Sequence, residues 1–139
     1  MDKRRFLVTA LTAAAAGMAG CSTPSNGGNA TSRMVKLVFT LQRRPGMNFD
    51  EFSRYWRDVH APIGGALPGL RKYVQNHAGA TLDGSPLPYD GYSELWFDDM
   101  ESLQRALTSS EGRAAMADSA NFLDVERIQT FIVEEVTVV

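Results

Sequence analysis

Six segments of the chain carry a hydrophobic period, and they alternate between strand and helix periods in the order βαββαβ. Residues 34–42 (MVKLVFTLQ) place Val35, Leu37, Phe39 and Leu41 on one side and Lys36, Val38, Thr40 and Gln42 on the other. The β-branched and aromatic content predicts a strand, which Arg43-Arg44-Pro45-Gly46 ends. Asn48 then forms a capping-box pattern with Glu51, and Phe49, Phe52, Trp56, Val59 and Ile63 recur at spacings of three and four. This spacing predicts a helix with one apolar face. Pro62 is expected to close it, because a proline disfavours helical geometry in the residue before it.

Residues 70–76 and 92–97 predict the second and third strands, joined by a polar loop at 79–91 containing Pro86 and Pro88. Asp98 and Glu101 form a further capping-box pattern, predicting a helix with Met100, Leu103, Ala106 and Leu107 inward. A shorter helical piece at about 111–120 and a last strand at 128–138 complete the α+β pattern.

Two helices cover one face of a four-stranded antiparallel sheet and leave the other bare. The strands do not show a solvated second face, however. Leu37, Phe39, Leu95 and Phe97 form one set, and Val38, Tyr92 and Trp96 sit on the alternate set. An open antiparallel sheet normally alternates apolar and polar residues, so a second copy packing sheet to sheet, a homodimer, is the expected remedy. At 139 residues there is room for one domain, whose core alone is small.

The 44% hydrophobic and 22% charged composition is that of an ordinary globular chain. Setting aside Asp2, Lys3, Arg4 and Arg5 of the N-terminal segment from the 14 basic and 16 acidic residues leaves 11 basic and 15 acidic. A net charge of that sign gives no basis for gripping a phosphate backbone, so nucleic acid is set aside. The single cysteine, Cys21, excludes an intramolecular disulfide and a four-cysteine zinc site.

The position of that cysteine is informative. Lys3, Arg4 and Arg5 precede about 14 apolar or small residues, 6–19. That run is too short to span a bilayer, which takes about 20 residues, but it suits a signal peptide. Met18-Ala19-Gly20-Cys21 resembles the lipobox of bacterial lipoproteins, with Met18 where leucine is usual. Residues 1–20 are therefore expected to be a lipoprotein signal peptide, with Cys21 lipidated. Lys3-Arg4-Arg5-Phe6-Leu7 also resembles a degenerate twin-arginine signal, and either export route fits. Residues 21–33 lack bulky apolar side chains and read as a flexible linker to a domain at 34–139. The expected location is the cell envelope, anchored to the membrane through Cys21 and facing the periplasm. Ser22 favours the outer membrane where there is one, and initiation at Met34 is the rival to this reading.

Within the domain, three runs occur in order. They are Phe49-Asp50-Glu51-Phe52-Ser53-Arg54-Tyr55-Trp56-Arg57-Asp58-Val59-His60-Ala61-Pro62, then Leu67-Pro68-Gly69-Leu70-Arg71-Lys72-Tyr73, then Asp90-Gly91-Tyr92-Ser93-Glu94-Leu95-Trp96-Phe97-Asp98. Together they resemble the EthD family, over about residues 34–138. The resemblance implies a ferredoxin-like unit that dimerises into an α+β barrel, with an apolar pocket between sheet and helices. The wider superfamily it implies includes cofactor-free monooxygenases, isomerases, cyclases and haem-degrading enzymes, among which fold does not choose. A signal peptide departs from the usual cytoplasmic EthD-like protein.

His60 is the leading catalytic candidate. It follows Trp56 by four residues on one helix stripe, and an imidazole, with an unperturbed pKa of about 6.5, suits proton transfer. The resemblance places it on the family's histidine; the bland alternative is a helix-end histidine bonding a backbone carbonyl. A carboxylate such as Glu94 is a possible neighbour. His77 is the other histidine, and a continuing strand puts Tyr73, Gln75 and His77 on one face. Trp56, Tyr73, Trp96, Phe39 and Phe122 are aromatic enough to line a substrate pocket, and are equally what a small core would use.

No metal site is expected, since nothing resembles His-Glu-x-x-His, and no cofactor motif is present. The expected function is a cofactor-independent enzyme acting on a small apolar carbonyl or phenolic compound. It would be an isomerase, cyclase or dehydratase, or a monooxygenase-type oxidoreductase, with His60 as acid/base. The alternative is a non-catalytic small-molecule-binding or accessory protein of the cell envelope.

Overall fold

A computed structural model describes residues 34–139. The expected signal peptide at 1–20 and the linker at 21–33 with Cys21 lie outside the described residues. Four strands, β1 (Val35–Leu41), β2 (Leu70–His77), β3 (Gly91–Phe97) and β4 (Gln129–Val133), form one antiparallel sheet in the order β2-β3-β1-β4. β1 therefore lies inside the sheet, bonded to β3 on one side and to β4 on the other. This is the βαββαβ arrangement expected from the hydrophobic periods. β4 ends at Val133, short of the predicted 138.

One irregularity decides what β2 offers to the site. The pairing with β3 runs Leu70 to Phe97, then Lys72 to Trp96, and Tyr73 to Leu95, so Arg71 is an extra residue. Such a bulge lets side chains three apart share a face. Leu70 and the set Tyr73, Gln75 and His77 thereby all stand on the face of Leu95, Ser93 and Gly91. Arg71 itself turns outward to Asp98, with Nε 3.0 Å from both carboxylate oxygens.

The first helical run begins as predicted. The Asn48 side chain accepts from the Glu51 amide at 2.9 Å, and the Glu51 carboxylate accepts from the Asn48 amide at 3.0 Å. The run does not end before Pro62. It continues from α1 (Phe49–Tyr55) through a π-helical turn (Trp56–His60) into α2 (Ala61–Gly65). A proline in an α-helix lacks an amide hydrogen and clashes with the carbonyl four residues back. Here the wider turn carries the bond from the Ala61 amide to the Trp56 carbonyl just before it, and Pro62 falls in the first turn of α2, where prolines are tolerated.

α3 (Met100–Thr108) starts one residue later than predicted, because Asp99 and not Asp98 caps it, accepting from the Ser102 amide at 2.7 Å. Asp98 is engaged by Arg71. Leu103 and Ala106 of α3 are buried as expected, whereas Met100 and Leu107 are partly exposed. α4 (Ser110–Ser119) follows after Ser109, whose hydroxyl caps it through the Gly112 amide.

The helices cover the face bearing Leu37, Leu95 and Phe97. Leu37, Leu67, Leu95, Phe97, Leu103 and Ala106 form one buried cluster, and Leu41, Phe52, Trp56, Phe122 and Leu123 another. Full burial of each large side chain contributes roughly 1.5–3 kcal/mol. The other face carries Lys36, Val38, Thr40, Glu94 and Trp96. Lys36 is bonded to Glu94 at 2.9 Å and paired with Glu135. Tyr92 and Phe131, on that same face, are about half exposed.

Candidate active site

The π-helical turn and α4 bring together two groups far apart in the chain. His60 Nδ1 lies 2.8 Å from Asp118 Oδ2, and both side chains are nearly buried. The second carboxylate oxygen accepts from the Tyr55 hydroxyl at 2.7 Å, and the Asn121 amide adds a third bond at 3.0 Å. Burial alone would push the Asp118 carboxyl up. The bonds from Tyr55, His60 and Asn121 outweigh it and hold the group below its usual range. An ionised carboxylate only accepts, so Nδ1 of His60 must be the donor, and in the neutral imidazole Nε2 then carries the lone pair. Among the described residues Nε2 has no protein partner, and the His60 ring lines a cavity. Phe122 backs the pair, its ring centroid 4.8 Å from His60 and 5.2 Å from Tyr55.

A second polar group meets the cavity from β2. The Tyr73 hydroxyl accepts from Trp56 Nε1 at 3.2 Å and from Gln75 Nε2 at 3.1 Å. Burial raises its phenol above the ordinary value, against the opposing effect of these two bonds, so the hydroxyl keeps its proton. Gly64 separates Tyr73 from His60. A Cβ there would stand 3.5 Å from Tyr73 Cε1 and 3.6 Å from His60 Nε2. The absence of a side chain keeps the two polar groups facing one shared space.

The cavity, about 310 Å³, lies between sheet and helices and takes lining from both core clusters. Phe39, Trp56, His60 and Tyr73 line it, with Leu95 and Ser93 on the sheet side and Met116 on α4. None of its lining residues is Lys, Arg, Asp or Glu, so the space suits a neutral, mostly apolar molecule of modest size.

Three expectations are corrected. Trp96 does not reach the cavity: it alternates to the other sheet face, where Lys36 and Lys72 each place an ammonium 4.5 Å from its ring. Phe122 packs behind His60 without lining the cavity. Glu94 is not the carboxylate near His60; it shares the far face with Trp96 and is bonded to Lys36 and Asn76. His77 stays out of the cavity, its ring tilted against Trp56 with centroids 4.4 Å apart, and is bonded to Ser53 and Gln75.

Asp118, Tyr55 and Ser93 were not singled out from the sequence, and Gln75 was placed there only on the face of Tyr73 and His77. Tyr55 and Asp118 carried no local signal, since their relation is created by the docking of α4 on the first helical run. Among the described residues no group of three or more His, Cys, Asp or Glu is placed to hold a metal ion, and no helix is long and apolar enough to cross a membrane.

A four-stranded antiparallel sheet backed by helices, with an apolar cavity between the layers, defines a ferredoxin-like α+β protein. The chain belongs to the EthD domain family, whose profile matches residues 44–126. Among solved structures, it is similar to an ethyl tert-butyl ether d (EthD) family protein from Bacillus halodurans, at 30% identity and a TM-score of 0.64, covering 74% of this chain and 99% of that one. It also resembles a dimeric ferredoxin-like protein of unknown function from Thermobifida fusca, at 16% identity and a TM-score of 0.57, covering 76% and 93% of the two chains. Among curated proteins it is 28% identical, over 63% of this chain and 81% of the relative, to an uncharacterised 11.0 kDa protein encoded in the thcB-thcC intergenic region of Rhodococcus erythropolis.

Proposed function

We propose that this EthD domain is a cofactor-independent acid–base enzyme acting on a small, largely apolar compound that carries a carbonyl or phenolic oxygen. One observation carries the reading: Asp118 holds His60 so that its basic Nε2 faces an apolar cavity. In that role His60 removes a proton from an acidic C–H or from a phenol, and Asp118 stabilises the imidazolium that forms. Tyr73, whose hydroxyl already accepts two bonds, donates its proton to the oxygen on which charge develops. Proton abstraction of this kind opens an isomerisation, a cyclisation or a dehydration. It equally activates an electron-rich ring towards oxygen, the oxidoreductase variant.

The test needs no knowledge of the natural substrate. A ketone such as 2-tetralone, incubated with the protein in D2O, exchanges its α-protons at a rate that NMR reads. Catalysed exchange in the wild type, lost in His60→Gln while the ketone still binds, is the expected result. Binding without any catalysed exchange favours the second reading, a small-molecule-binding or accessory protein, which the mainly apolar lining also supports.

Two further parts belong to the proposal. The domain acts as a homodimer through the sheet face bearing Val38, Tyr92 and Phe131, two of which are half exposed. It resides in the cell envelope, tethered to the membrane by a lipid on Cys21.

A further inference from the structure

Gln75 is absent from the cavity lining, yet its amide nitrogen is bonded to two residues that line it. Its two amide hydrogens go to the Trp56 carbonyl at 2.9 Å and to the Tyr73 hydroxyl at 3.1 Å. Its oxygen faces His77 Nε2 at 3.1 Å, and His77 Nδ1 lies 2.7 Å from the Ser53 hydroxyl. The amide has one workable orientation, because the reverse would set its oxygen against the Trp56 carbonyl oxygen. The order of donors follows. Ser53 donates to His77, His77 to Gln75, and Gln75 to Tyr73. Burial, and then the charge of Arg57, lower the His77 imidazole, which keeps Nδ1 free to accept. Trp56 Nε1, a donor only, takes the other lone pair of the Tyr73 oxygen. With both lone pairs occupied, the Tyr73 proton finds no acceptor among the described residues.

We propose that Gln75, held by His77, is a positioning residue that turns the Tyr73 hydroxyl proton into the cavity. The site would then select an oxygen that carries or develops negative charge, a phenolate or an enolate. The inference rests on the reading of His60 as the base, which generates that charge. It adds a residue two positions beyond Tyr73 on the same strand, and a reason for the opened π-turn: the Trp56 carbonyl accepts from both the Ala61 amide and Gln75.

The probe is 4-nitrophenol, whose phenolate absorbs at longer wavelength than the phenol, so that ionisation in the pocket is read directly. Nitrobenzene, lacking the hydroxyl, reports pocket shape alone. On the full chain, wild-type protein is expected to hold the probe as phenolate at a pH where it is largely phenol in solution, and His60→Gln to abolish this. Tyr73→Phe and Gln75→Met are each expected to lower the acid dissociation constant of the bound probe roughly tenfold, as loss of one hydrogen bond to a charged group does. Nitrobenzene affinity should be unchanged in Gln75→Met, since Gln75 does not line the cavity. Gln75→Glu, near-isosteric but unable to donate when ionised, should match Gln75→Met and serves if that variant fails to fold. Wild-type ionisation in both Gln75 variants, with its loss in Tyr73→Phe, overturns the role of Gln75 and leaves His60 as base. A bound probe that stays protonated in the wild type, and is unaffected by His60→Gln, overturns the base reading and the inference resting on it.

Discussion

Asp118 and His60 are 58 residues apart in the chain and 2.8 Å apart in the fold, and that one contact fixes which imidazole nitrogen faces the cavity. An asparagine at 118 can present its amide to Nδ1 and so favour the tautomer that carries the proton on Nε2. Asp118→Asn should therefore lower the His60-dependent exchange rate roughly 10²-fold or more. Loss of the charged partner should also cost about 1–3 kcal/mol of stability.

The pH dependence of that cost has a definite sign. The folded state holds the Asp118 carboxyl below its usual range, so the unfolded chain binds the proton first. The stabilisation is present above the ordinary carboxylate pKa of about 4 and is lost as pH falls through the lower, folded value. Thermal denaturation from pH 7 to pH 3 should show the gap between wild type and Asp118→Asn narrowing at the acid end. A gap that widens there would contradict the assignment.

Two glycines separate function from stability. At Gly64 an added methyl meets only ordinary contacts, 3.5 Å to Tyr73 and 3.6 Å to His60. Gly64→Ala should keep or raise the melting temperature, since alanine gains up to about 1 kcal/mol in a helix, while filling the space shared by the two polar groups. Exchange should fall at least about tenfold. At Gly91 the methyl would stand 2.5 Å from the Asn76 carbonyl oxygen and 2.8 Å from the Trp56 ring. Gly91→Ala should cost about 1–3 kcal/mol through overpacking. Calorimetry beside the exchange assay distinguishes the two outcomes.

The dimer proposal predicts that protein beginning at Met34 sediments as twice the chain mass at micromolar concentration. Phe131 lies on the sheet face proposed to pair and is 48% exposed. Phe131→Glu should therefore produce a monomer with its circular dichroism spectrum retained. A wild-type monomer in analytical ultracentrifugation would defeat the proposal.

For the membrane, Cys21→Ala should release full-length protein from the detergent phase on phase partitioning, or leave it unprocessed. Unchanged partitioning and cleavage in that variant would remove the lipoprotein reading, and an unlipidated cellular N-terminus at Met34 would replace it.

The sequence by itself determined the elements and their order, because strand and helix periods are local properties. β1, the Asn48 capping box and the shared face of Tyr73, Gln75 and His77 were all legible from spacing and residue type. So was His60, as an imidazole one helical turn from Trp56. Where a local rule met a tertiary demand, the tertiary demand won. Pro62 did not end its helix, since a π-turn ahead of it rearranged the hydrogen bonds. Asp98 gave up its cap to Asp99 because Arg71, pushed outward by a bulge in β2, claimed its carboxylate. Trp96 left the pocket by the alternation of its own strand, and Glu94 went with it. The partner of His60 was decided only by the packing of α4 against the first helical run. No pattern of 3.6 or 2 residues connects Tyr55, His60 and Asp118, since contacts between elements are set by how helices dock on a sheet and not by spacing along the chain.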